Sequence, residues 1–398
     1  MKKKGTFETV LTFVVSPFLS LPFMFMQLKR GNDKYIVLLL SILLGFLSYL
    51  YIPNVTNDKV EYFSRYELFQ DYNYKDLWLY LAQVYRPDFL FDHLIFLFAK
   101  LNVNISYFFF TITFVTIFSL LTFIKTILTQ QQRSYYTYSV FSLLLIFSII
   151  SLNGLFSNIR FLLTASIFIW SLYYFFFNRK LFRAIVLLVT TLLFHFSFTI
   201  FIPGIFLVLL LPNIYRYLRA ILGISMVFLL VPNGLDIIGN LTDSIGLPNN
   251  YLIKVDTYVN SEMEVSRNAL ILFYLRNLWL YLACFYFLFK EKFNNDVLVT
   301  LLVVFLSFIN LTHSNPFVFS RYSIVFSVLF VIFLIYRYKQ KSLNHNWLIV
   351  FSVFFILHLF IDILVLRNNL SASYSIKDLF SIYSILIKQI TPNDFLGE

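Results

Sequence analysis

The chain has 398 residues, 59% of them hydrophobic and 13% charged, with a mean hydropathy of +0.77 and a formal net charge of +11. Soluble domains carry about 25% charged residues, so these figures exclude a soluble enzyme and a basic nucleic-acid-binding domain. They call for a polytopic membrane protein whose positive charge sits in its cytoplasmic loops. The single cysteine, Cys284, excludes an internal disulfide, and ten glycines and ten prolines are few for a transporter that rocks on broken helices.

Met1, Lys2, Lys3 and Lys4 precede an apolar run over 7–28 that imitates a signal peptide. No small-x-small cleavage site follows, and Pro17 and Pro22 interrupt the run. Basic residues on both flanks leave two topologies open, a re-entrant hairpin or an N-terminus outside. Residues 35–52 read as an outward span. Residues 54–104 form the first outer loop, with seven acids against five bases; it reads as partly helical, with 89–101 lying along the membrane surface. Residues 105–128 return inward to Arg133, 135–152 go out, and 156–177 come back to a basic knot of Asn178, Arg179, Lys180 and Arg183.

From 184 to 232 the pattern admits one long helix over 184–211 or two short passes broken at His195-Phe196-Ser197 and a third pass over 217–232. Loop charge arbitrates. Three passes put Arg216 and Arg219, Lys290 and Lys292, and Arg337, Lys339 and Lys341 inside, and leave loop 233–268 outside with five acids against Lys254 and Arg267. The two short passes have about 14 residues each where a full crossing needs about 20. Their tip, with His195, is therefore expected below the outer surface and beside protein or a water-filled cavity.

Spans over 269–289, 296–311, 322–336 and 347–366 complete an all-α integral membrane bundle of about 11–12 segments, read as a single domain over 1–398 with outer loops 54–104 and 233–268. The tail 371–398 carries Ile376, Leu379, Phe380, Tyr383, Leu386, Ile387 and Ile390 at helical spacing and reads as an amphipathic helix on the outer interface.

The candidate chemistry gathers at the outer ends of these segments. Arg276 lies about seven positions into its span, roughly 10 Å deep, where an arginine needs a cavity or a partner such as Asp362. Arg160 and Arg321 sit at the outer starts of inward-running helices, where unpaired N–H groups favour anions. Guanidinium suits phosphate bidentately, so Arg160, Arg276 and Arg321 read as a diphosphate cradle, against ordinary interface anchoring for each alone. His195, opposite Arg160, is the candidate general base, against a satisfied core histidine. His313 and Asn158 are secondary candidates, and Asp58 follows Asn57 at the outer end of its span, where it reads as an acceptor-holding acid or a solvated one. No His, Cys or carboxylate cluster has metal-ligand spacing, and no phosphate-binding glycine loop or nucleophile elbow occurs, so neither metal nor cofactor is expected.

Tyr51-Ile52-Pro53 with Asn57-Asp58-Lys59 and Tyr62-Phe63, Ser157-Asn158-Ile159-Arg160, the basic knot, His195-Phe196-Ser197 and Phe319-Ser320-Arg321-Tyr322 together resemble the Wzy/EpsG-type polysaccharide polymerases over about 35–330. The resemblance implies a fold similar to the GT-C membrane glycosyltransferases and a metal-independent glycosyl transfer at the outer face of a bacterial inner membrane. The substrate it implies is an oligosaccharide repeat unit on undecaprenyl diphosphate, for O-antigen, capsule or exopolysaccharide. A chain-length regulator, a flippase and membrane lipid are the partners such a process would involve. A membrane O-acyltransferase, a lipid-linked glycan ligase and a flippase are the other readings the residues leave open.

Overall fold

A computed structural model of the chain describes residues 2–30, 33–84, 88–130, 150–211, 213–230, 267–294 and 296–397. Among these the regular structure is helical, with one isolated parallel β-bridge between Asn54 and Leu396. Ile105–Ile127, Ile159–Phe177, Pro316–Tyr338 and His345–Val365 are each long and apolar enough to cross a membrane, and Arg267–Arg276 with Leu278–Phe289 form a fifth, bent by 45°. Shorter apolar helices lie between them. The protein is therefore a polytopic, all-helical membrane protein. The span expected over 135–152 and loop 233–268 fall, apart from their ends, outside the described residues. The described chain divides into two compact units, 1–196 with 362–398, and 197–361.

The first unit opens with α1 (Lys2–Val15) and α2 (Leu21–Arg30). They part where Pro17 removes a backbone donor, and Pro22 occupies the first turn of α2, where its missing N–H costs nothing. Helix α3 (Asp33–Leu50) lies close along α7 (Ile105–Gln130). Gly45 makes that approach possible, since a Cβ there would stand 2.9 Å from the Phe110 ring and 3.1 Å from its carbonyl oxygen. Between them, α4 (Asp58–Asp71), α5 (Tyr74–Val84) and α6 (Leu90–Lys100) make up the stretch expected to be the first outer loop. Their buried faces, with Tyr62, Phe69, Leu77, Phe91 and Ile95, close on Phe108 and Phe109 of α7 as one apolar cluster.

After α8 (Leu152–Phe156), α9 (Ile159–Leu172) runs through a π-helical turn over Tyr173–Phe177. The basic knot then reverses the chain with Arg179 at φ 52°, a left-handed conformation that non-glycine residues seldom adopt. Helix α10 (Leu181–Phe194) returns along α9 and stops at His195, which is extended at φ −156°. A 3₁₀ turn (Phe196–Phe201) follows, and α11 (Ile202–Leu210) and α12 (Leu218–Val227) continue from it. The chain thus breaks at His195-Phe196-Ser197, and the alternative of one continuous helix over 184–211 is not what forms.

In the second unit α13 (Arg267–Arg276) and α14 (Leu278–Phe289) meet at Asn277, whose side-chain amide folds back to the Phe273 carbonyl at 2.9 Å. Helix α15 (Val297–Leu311) starts on an Asp296 cap. Helix α16 (Pro316–Lys339) starts on Asn315, whose Oδ1 accepts both the Phe317 and the Val318 N–H at 3.1 Å, with proline at its first position. The turn joining α14 to α15 is tied to the end of α16: Arg337 donates to Glu291 at 2.5 Å and lies 3.4 Å from Asp296, while Tyr286 donates to Glu291 at 3.1 Å. Helix α17 (His345–Val365) runs from this unit into the first.

The tail departs from a single amphipathic helix. It forms α18 (Arg367–Ser373), α19 (Ile376–Phe380) and α20 (Ile382–Ile387). Ser375 and Ser381 each turn a hydroxyl onto a following backbone N–H, starting a new helix where the spacing alone suggested continuity. Ile385 and Ile390 are buried.

Candidate functional site

The first unit holds a compact set of ionic groups built from three segments. Helix α4 presents Glu61 and Arg65 one turn apart, and the segment entering α6 presents Asp88 and Asp92, also one turn apart. Arg65 is buried and donates to Asp92 at 2.7 Å with one Nη and to Glu61 with the other. Burial works against its charge, but Asp92 and Glu61 outweigh that and hold the guanidinium above its ordinary pKa. Arg160, in the first turn of α9, donates to Asp88 at 3.3 Å, and its side chain keeps 17% exposure against 3% for Asp88.

His195 stands on the neighbouring helix. Its ring meets Phe161 edge to face at 5.4 Å, and Phe161 follows Arg160 in sequence. Asn158 is the residue before α9 and lends that helix no side-chain cap. Asp58 opens α4, two turns before Arg65 on the same helix. Its neighbour Lys59 is fully buried: Nζ donates to the Ser48 and Tyr51 carbonyls at 2.8 and 2.7 Å and sits 4.4 Å from the centre of the Phe109 ring. These carbonyls end α3, where helix geometry leaves acceptors without partners. Lys59 is thus a structural cap, and burial pushes its ammonium well below the usual lysine range.

Arg276, Arg321 and His313 belong to the second unit. Arg276 ends α13 at the bend, and its carbonyl is bonded to the Nδ1 of His358 at 2.9 Å. Arg321 lies in the second turn of α16. His313 joins the two segments. Its Nε2 lies 2.8 Å from the Tyr281 hydroxyl, and its ring meets Phe319 edge-on at 5.1 Å and Phe273 and Tyr274 at 6.1 and 5.8 Å. Phe273 and Tyr274 precede Arg276, and Phe319 precedes Arg321. Burial holds the His313 imidazole below its ordinary pKa. Asp362, weighed as a partner for Arg276, takes the Leu152 backbone N–H at 2.7 Å within the first unit.

The grouping thus has two halves. Arg160 and His195 meet through Phe161 in one unit, and the segments bearing Arg276 and Arg321 meet at His313 in the other. The EpsG family model matches residues 34–378, a stretch that contains both halves. The chain belongs to the EpsG family. No curated protein and no solved structure matches it. Membership in EpsG points to polysaccharide polymerase-like chemistry in a multi-pass membrane protein.

Sequence reasoning passed over Arg65, Asp88 and Asp92, which it counted only as outer-loop charges. A usable signal was present: Glu61 and Arg65 are spaced four apart on α4 and so line one helix face, and Asp88 and Asp92 repeat that spacing across the start of α6. No group of three or more His, Cys, Asp or Glu side chains among the described residues has the arrangement of a metal site.

Proposed function

We propose that this EpsG-family protein polymerises polysaccharide repeat units, transferring a growing glycan from a polyprenyl diphosphate carrier to the acceptor repeat on the outer face of a bacterial inner membrane. An acceptor hydroxyl attacks the anomeric carbon of the donor. The new glycosidic C–O bond forms as the bond from that carbon to the diphosphate oxygen breaks, and the lipid diphosphate departs with the electron pair. The acceptor proton passes to the neutral imidazole of His195. Asp58 holds the acceptor, and Arg160 stabilises the negative charge that grows on the leaving group. No metal takes part in this scheme.

The observation that supports this reading most is Arg160. A guanidinium at the first turn of a membrane span, balanced by a buried carboxylate in a family of polymerase-like proteins, is a cation that an arriving diphosphate can draw from Asp88. Loss of the whole protein tests the reaction class, and replacing His195 with Ala at unchanged protein level tests the histidine. A polymerase leaves single repeats, a ligase leaves unattached polymer, an acyltransferase leaves chain length intact, and a flippase traps repeats on the inner leaflet. Long chains from the His195 variant would remove the histidine from the mechanism.

A further inference from the structure

The sequence between the end of α3 and the start of α4, Tyr51 to Asp58, carries the Asn57–Asp58 pair and has little regular structure of its own. It is held from outside by the tail. Tyr374 donates its hydroxyl to the Leu47 carbonyl at 2.9 Å. The Ile52 N–H donates to Ser373 Oγ at 2.8 Å, and the Asn369 amide donates to the Ile52 carbonyl at 3.1 Å and to Asn54 Oδ1 at 2.8 Å. From the other side Leu396 pairs with the same residues in a parallel bridge: its N–H donates to the Pro53 carbonyl and its carbonyl accepts the Val55 N–H, both at 3.1 Å. The Ile52 N–H and carbonyl, the Pro53 carbonyl and the Val55 N–H are thus matched by residues more than 300 positions away.

The tail is itself braced. Lys388 Nζ donates at 2.9 Å both to the Ser373 carbonyl and to Asp378, whose carboxyl those contacts and Ser375 hold below the usual range against the effect of burial. Thr391 and Asp394 cap each other, and Phe395 packs edge-on to Phe63 of α4 at 5.1 Å. An extended segment joined to a helix start by a turn has many accessible conformations, and fixing each residue costs about 1–2 kcal/mol. Two-sided pairing of Ile52–Val55 selects one of them, and the Asn57 N–H closes the turn onto the Asn54 carbonyl at 3.0 Å.

We propose that residues 369–396 form a clasp that sets the position of Asn57 and Asp58, making Asn369 and Leu396 positioning residues for the acceptor-holding acid. The EpsG family model matches residues up to 378, so Asn369 and Ser373 lie within the matched region and Leu396 lies beyond it. The functional half of the proposal rests on the polymerase reading; the structural half does not.

The test separates them. In a Cys284→Ala background, Asn57→Cys is labelled with a maleimide in isolated membranes, with and without Asn369→Ala, Leu396→Pro, or removal of residues 389–398. Loss of one such hydrogen bond corresponds to roughly a five-fold shift in an opening equilibrium, so labelling is expected to quicken about five-fold in each point variant. In the chain without Asn57→Cys, the same variants are expected to yield shorter or less polysaccharide per molecule of protein, with Asn369→Gln closer to wild type than Asn369→Ala. Unchanged labelling overturns the clasp. Faster labelling with unchanged product overturns its positioning role. If Asp58→Ala and Arg160→Ala themselves leave the product unchanged, the polymerase reading fails, and the labelling rates still decide the clasp. Should the truncated chain not accumulate, the point variants carry the test.

Discussion

The Arg160 guanidinium and the Asp88 carboxylate, 72 positions apart in sequence, lie 3.3 Å from one another in a largely buried ion pair. Removing either partner takes a counter-charge away from a largely buried group, which is costly, whereas removing both need not be. Arg160→Gln and Asp88→Asn alone should each lower stability by about 3 kcal/mol. The double variant should recover most of that loss. Thermal unfolding in detergent, run as a double-mutant cycle, checks it; strictly additive losses would mean that the pair does not interact.

Lys59 offers a contrast, a cation with a purely architectural task. Lys59→Met keeps the aliphatic bulk but strands the Ser48 and Tyr51 carbonyls, which should cost about 2 kcal/mol. The polysaccharide formed per molecule of folded protein should not change. A variant with wild-type stability and no polymer would move Lys59 from the scaffold into the reaction.

Gly45→Ala tests the contact between α3 and α7. The new methyl meets the Phe110 ring at 2.9 Å and its backbone oxygen at 3.1 Å, so the ring alone cannot relieve the clash by turning. Overpacking of this kind costs about 1–3 kcal/mol. A lower unfolding temperature is expected, and an unchanged one would show that the helices lie further apart.

Burial of His313 predicts a loss of stability in acid. Its folded-state pKa is depressed by burial, so above the free-imidazole value of about 6.5 both states are neutral and nothing is lost. As pH falls below that value the unfolded chain takes up a proton that the folded protein does not, and stability declines until the folded pKa is reached. Unfolding temperatures at pH 7.5 and 5.5 should therefore differ more for the wild type than for His313→Gln, which still offers Tyr281 an acceptor. Equal slopes would place the acid sensitivity elsewhere.

Much of the helical plan was legible in the residues. The prolines at 17 and 22 mark the first break, and the alternation of basic and acidic loops selects the interruption at His195, whereas the span expected from 322 starts six residues earlier on Asn315-Pro316. The first is a local signal, and the second needs only the order of charged loops along the chain. The ion pairs were not legible in the same way. That Arg65 meets Asp92 and Arg160 meets Asp88 depends on how α4, α6 and α9 pack, which helical periodicity does not encode. The tail misled for the opposite reason: its apolar spacing is helical, but the Ser375 and Ser381 hydroxyls compete for backbone N–H groups and cut it into short pieces. Arg276 stood out because arginine is costly in a span, and it falls at the Asn277 bend, where the helical ladder is already interrupted.

The most direct test of the account combines stability with product length. The Arg160→Gln/Asp88→Asn double variant removes the cation without leaving a buried charge, so its folding should be close to wild type. With protein level matched, gel analysis of the polysaccharide should then show single repeat units in place of long chains, because the guanidinium that stabilises the departing diphosphate is gone. Chains of wild-type length from the same variant would contradict the role given to Arg160 and with it the proposed mechanism.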